Sequence, residues 1–177
     1  MKKIIGIGLG MMFIIFYASK AFAFTGISAS DILQSTIKIS AEEATRTIDQ
    51  SKVSSSIQSN YSSEALGKTT TGLSRDQVAA KDLERTINDS ILLALAVMTG
   101  RNYDDLKMLS DEEIKALPEF AALTGQMVID KMKEKNPDAL RQVKVDMATL
   151  ARALGVGELA AQWQQEDFIA KAIDSAL

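Results

Sequence analysis

Residues 74–100 decide the fold: Ser74-Arg75-Asp76-Gln77 opens the stretch, VAAKDLERTINDSILLALAVM fills positions 78–98, and Thr99-Gly100 closes it. Ser74 and Gln77 stand three apart, the spacing at which a serine hydroxyl and a glutamine amide can satisfy each other's backbone N–H groups at a helix start. Val78, Leu83, Ile87, Ile91, Leu92, Leu95 and Met98 then recur at helical intervals and predict one inward face. Gly100 supplies the left-handed residue on which a helix commonly ends. From Ile91 to Met98 the sequence is apolar almost all round, which predicts the central helix of a bundle; the stretch is too short to span a bilayer.

Downstream the same grammar repeats. Tyr103–Leu109 predicts a short helix, and Ser110-Asp111-Glu112-Glu113 is another capping box. Pro118 separates that piece from a helix predicted over about 119–135, with Phe120, Leu123, Met127 and Val128 facing inward. Asn136-Pro137 starts the next helix, on which Leu140, Val143, Met147, Leu150, Ala151 and Leu154 form a face before Gly155. Leu159, Ala160, Trp163, Ile169 and Ile173 carry helical character almost to Leu177, with the sole Trp as an anchor between the last helix and the core. No stretch alternates with strand period, so the fold class is all-α: a small irregular helical bundle over 74–177.

Upstream, composition shifts. Positions 24–73 hold 18 Ser and Thr in 50 residues, yet Ile27, Leu33, Ile37, Ala44, Ile48, Val53, Ile57 and Tyr61 fall on a narrow helical stripe. This predicts a Ser/Thr-rich amphipathic helical arm, with Ser40-Ala41-Glu42-Glu43 capping a helix over about 41–59 and Gly67–Gly72 serving as connector. The arm is expected to lie along the bundle or along a neighbouring copy. Its apolar residues Ile37, Ile48, Val53, Ile57 and Tyr61, together with Trp163, are the candidate partner-binding residues.

Residues 1–23 read differently again. Met1-Lys2-Lys3 is basic, Ile4–Ala18 is uncharged and apolar, and Ala21-Phe22-Ala23 ends the run with a small-x-small pattern. That order predicts a secretory signal peptide cut after Ala23, giving a mature chain that begins at Phe24 and touches membrane only transiently through the signal. Of 20 basic and 23 acidic residues, Lys2, Lys3 and Lys20 leave with the signal; 17 basic residues remain, and the net charge moves from −3 to −6. An acidic exported chain without cysteine suits a bacterial periplasm or secreted pool and gives no general attraction to nucleic acid.

The absence of His and Cys removes much chemistry: no Ser-His or Cys-His pair, no thiolate nucleophile and no Cys/His zinc site can be assembled within this chain. No catalytic, cofactor-binding or metal-binding residue is assigned. The leading enzyme class that survives that subtraction is a carboxylate-dependent cell-wall glycan hydrolase drawing its acid and base from Asp104-Asp105, Asp111-Glu112-Glu113 and Glu166-Asp167, and a Ser-Lys hydrolase also needs no histidine. Adjacent acids in a helix's first turn are also what the helix dipole favours.

Met147–Trp163, MATLARALGVGELAAQW, resembles the helix-turn-helix pattern of bacterial regulators, with small residues in the first helix and Gly155 at the turn. The resemblance implies a second helix in the major groove with Glu158, Gln162, Gln164 and Gln165 at base edges. Arg152 is the only basic residue between Lys144 and Lys171, however, so phosphate contacts lack donors, and Glu158, Glu166 and Asp167 repel the backbone. A packing corner is the favoured interpretation. Taken together, the sequence predicts an exported, non-enzymatic assembly or adaptor protein of the bacterial envelope, such as a minor component of a secretion, conjugation or surface apparatus, with protein partners or copies of itself.

Overall fold

The structure, a computed structural model, describes residues 26–43 and 73–177. Helix α1 spans Ala29–Glu43, α2 Arg75–Thr99, α3 Tyr103–Lys107, α4 Asp111–Lys115, α5 Pro118–Ala121, α6 Gly125–Lys135 and α7 Pro137–Ala153; a 3-10 turn at Gly157–Leu159 leads into α8, Ala160–Trp163, and α9, Glu166–Ala176. The described residues form an all-α, irregular bundle without strands.

α2 is the centre. The Ser74 N–H donates to Gln77 Oε1 at 3.0 Å, and Gly100 ends the helix at φ 67°. Leu83, Ile87, Ile91, Leu92 and Leu95 are buried as the periodicity predicts, whereas Val78 is 37% exposed because Ala79 and Ala80 take the inner side of the first turn. α7 lies along α2 as its principal neighbour, α6 packs on both, and α9 bridges from α6 to α1.

The helix expected over about 119–135 is two helices. Thr124 interrupts it: its hydroxyl accepts from the Met127 N–H and caps α6. The break also has a tertiary cause. A Cβ placed on Gly125 would lie 2.0 Å from the carbonyl oxygen of Ala170, so glycine lets the start of α6 press against the backbone of α9. The Gly125 N–H then donates to Asp174 Oδ1 at 2.5 Å. Phe120, Leu123 and Val128 pack inward, while Met127, expected beside them, is 39% exposed. The segment after Gly155, expected to be helical almost throughout, is likewise divided into the 3-10 turn, α8 and α9.

The N-terminal segment gives the largest departure. Ser40 does not begin a helix; it lies within α1, whose first residue, Ala29, stands eleven positions earlier, while the rest of the helix expected over about 41–59 and the connector Gly67–Gly72 lie outside the described residues. At the start of α1 the Ser28 hydroxyl accepts from the Asp31 N–H at 3.1 Å, and Asp31 Oδ2 accepts from the Ser28 N–H at 3.2 Å, a capping box with Asp in the third position. Ile27, Ala29, Ile32, Leu33 and Ile37 enter the same core as residues 79–173. The hydroxyls on this face do not oppose burial, since Thr36 Oγ1 donates to the Ile32 carbonyl at 2.7 Å and Ser40 finds a tertiary partner.

Candidate functional site

Of the candidate partner-binding residues, Ile48, Val53, Ile57 and Tyr61 lie outside the described residues. Ile37 is 3% exposed and Trp163 fully buried, so within this chain both side chains are occupied by the core. Trp163 closes the bundle: its Nε1–H donates to Ser40 Oγ at 2.8 Å, a buried bond joining positions 123 apart in the chain. The indole acts as the anchor that its amphipathic character suggests, with its ring in the core and its single N–H answered.

Three further polar side chains, those of Asn88, Glu84 and Glu43, fasten the N-terminal segment. Asn88, 4% exposed, meets the backbone of Ile27 with both ends of its amide: Nδ2 donates to the Ile27 carbonyl at 2.9 Å and Oδ1 accepts from the Ile27 N–H at 3.2 Å. Glu84, one turn earlier on α2, accepts from the Ala29 N–H at 3.3 Å. Burial raises the Glu84 carboxyl above its ordinary pKa even though that N–H works in the opposite direction. At the far end Glu43 accepts from Lys171 Nζ at 2.7 Å and Gln162 Nε2 at 3.1 Å, and the Lys171 bond draws its pKa down. Together these groups form a polar clasp at the two ends of α1. Asn88 could have been noticed in the sequence, since it adjoins Ile87 and precedes Ile91 and Leu92 by three and four positions on the inward face. Its partner, a main-chain peptide 61 positions away, could not.

The carboxylates considered for acid–base work serve separate helices. Glu113 Oε2 accepts from the Ser110 N–H at 2.8 Å and the Ser110 hydroxyl at 2.9 Å, completing the predicted capping box of α4. Glu112 is exposed on the same turn. Glu166 joins α6 and α7 to the start of α9: Lys133 lies 2.5 Å from one carboxylate oxygen and Lys144 2.6 Å from the other. Those two ammonium groups hold Glu166 below the usual carboxylate range, so it stays ionised rather than carrying a proton at neutral pH. Asp104 and Asp105 are exposed in the first turn of α3, where the Asn102 side chain accepts from the Asp104 N–H at 3.1 Å. Among the described residues no group of three or more acids is arranged to hold a metal ion, and no described helix is long and apolar enough to cross a membrane.

At Met147–Trp163 the structure forms a corner. Gly155 adopts φ 76°, the Val156 N–H donates back to the Ala151 carbonyl at 2.9 Å, and Val156, Ala160 and Trp163 turn inward. The chain beyond the turn is one 3-10 turn and a four-residue helix, not a second long helix, and Gln162 is engaged with Glu43. No family model matches this chain, and no curated protein or solved structure matches it either.

Proposed function

We propose that this chain is an exported helical protein that acts by binding protein partners, or further copies of itself, in the bacterial envelope, and that it contributes to an assembly such as a secretion, conjugation or surface apparatus. The observation that supports binding over glycan hydrolysis is the engagement of Glu113 and Glu166 in separate contacts. A glycan hydrolase needs a protonated acid and an ionised partner across a sugar bond, whereas Glu113 folds back on Ser110 and Glu166 sits ionised between Lys133 and Lys144. The basic, apolar, small-residue order of Met1–Ala23 supports export.

The test is chemical crosslinking in intact cells with a C-terminal tag on the full chain, followed by recovery from envelope fractions. A defined crosslinked species, retained by a Glu112→Gln, Glu113→Gln, Glu166→Gln triple variant, is the expected outcome. A chain that stays monomeric and partnerless in the envelope, or release of soluble glycan from peptidoglycan that the triple variant abolishes, overturns the proposal.

A further inference from the structure

Asp146 is on the inward face of α7, one turn from Val143 and Leu150, and is only 3% exposed. Its Oδ1 accepts from Gln142 Nε2 at 2.8 Å. Its Oδ2 is buried and has no hydrogen-bond partner, the one such side-chain atom among the described residues. Native interiors rarely leave a carboxylate oxygen in this state.

Among the described residues no salt bridge is made to it, and Arg85 compensates its charge only in small part. α2, the principal neighbour of α7, brings Asp82 and Arg85 within electrostatic range, but Arg85 is already paired with Asp82 at 2.9 Å. On α6, Lys131 and Lys135 pair with Glu134, Lys133 with Glu166, and Asp130 accepts from Gln126. On α7 itself Lys144 is held by Glu166 and Arg141 by Asp138. α8 carries no charged residue, and the 3-10 turn offers only another acid, Glu158. An ionised Asp146 therefore leaves Oδ2 without a hydrogen bond and lies within electrostatic range of a second carboxylate, Asp82, and protonation removes the buried charge at its source.

We infer that Asp146 is a proton-binding site built into the seam between α2 and α7, so that the seam is tightest when the proton is bound. Burial is the main cause of a carboxyl pKa raised from 3.8 to about 6; the Gln142 bond opposes it, Asp82 adds to it and Arg85 opposes it. The sign follows from linkage. Because the folded chain holds this proton more tightly than the unfolded chain, the stabilisation is complete below the unfolded value of 3.8 and is lost as pH rises through about 6. Between pH 7.5 and pH 4.5 the folding equilibrium constant gains roughly 25-fold from this group alone.

Urea unfolding of the wild-type chain and of Asp146→Asn at both pH values isolates that contribution, because every other titrating group is common to the two proteins. The wild type is expected to gain roughly 25-fold relative to the variant on going to pH 4.5. Equal ratios at the two pH values overturn the assignment. Carboxyl carbon NMR of the wild type supplies a measurement that does not depend on the variant folding: a midpoint near 6 for Asp146 supports the site, and a midpoint below about 4.5 overturns it.

Discussion

Replacing Ser40 by Ala removes the sole acceptor recorded for Trp163 Nε1, which is 2.8 Å away on a fully buried side chain. The cavity left by one hydroxyl is too small for water to take its place, so the indole N–H is left desolvated and unpaired, at a cost of about 1–3 kcal/mol. Against the ~5–15 kcal/mol typical of a folded domain, that leaves the chain folded but measurably weakened. Trp163→Phe loses the same bond and part of the ring's packing, so it should cost more, about 2–4 kcal/mol. In the double variant the hydrogen bond is lost once, not twice, and a coupling of about 1 kcal/mol should appear between the two positions. Urea titration followed by far-UV circular dichroism measures all four proteins of the cycle. In the wild type and in Ser40→Ala the sole Trp adds a fluorescence probe located at the contact itself. A Ser40→Ala protein within about 0.3 kcal/mol of wild type, or single-variant costs that simply add, would refute the reasoning that this bond fastens α1 to the bundle.

Other consequences are more local. Gly125→Ala should destabilise by about 3 kcal/mol despite alanine's better helix propensity, because the obstacle to its Cβ is the Ala170 backbone rather than a side chain that can move; a thermal melt matching wild type contradicts this. Gly100→Ala meets no atom within 4 Å and should cost only the left-handed backbone penalty of about 1–2 kcal/mol, so the same melt should rank it as the milder change. Asn88→Ala should raise amide exchange at Ile27 at least tenfold while leaving exchange within α7 nearly unchanged, as followed by hydrogen-exchange NMR. N-terminal sequencing of exported material should begin at Phe24.

The sequence carried most of the helix starts because capping is local chemistry. Ser74 with Gln77, Ser110 with Glu113 and Asn136 before Pro137 each satisfy N–H groups within three residues of themselves, and all three begin helices where the pattern places them. Phe120 and Val128 were legible as core for a similar reason, but Thr124–Gly125 was not legible as a break. What requires the break is a close approach to Ala170, 45 positions away, and no local periodicity contains that distance.

The contest between two capping boxes shows the division most clearly. Of Ser28-Ala29-Ser30-Asp31 and Ser40-Ala41-Glu42-Glu43, only the second carries the Ser-x-x-Glu signature, so local chemistry favours it. The first is used as a cap; in the second, Ser40 receives the Trp163 N–H and Glu43 reaches Lys171. The sequence by itself determined the all-helical class, the central helix with its inward stripe, and the absence of thiol and imidazole chemistry, since these follow from residue type and spacing along one chain. Only the tertiary structure decided that a hydroxyl-rich segment belongs in the core, that Asn88 grips the Ile27 backbone, and that Asp146 is buried with one oxygen unanswered. Burial and hydrogen-bond satisfaction are properties of what surrounds a group, and that is settled when distant helices meet.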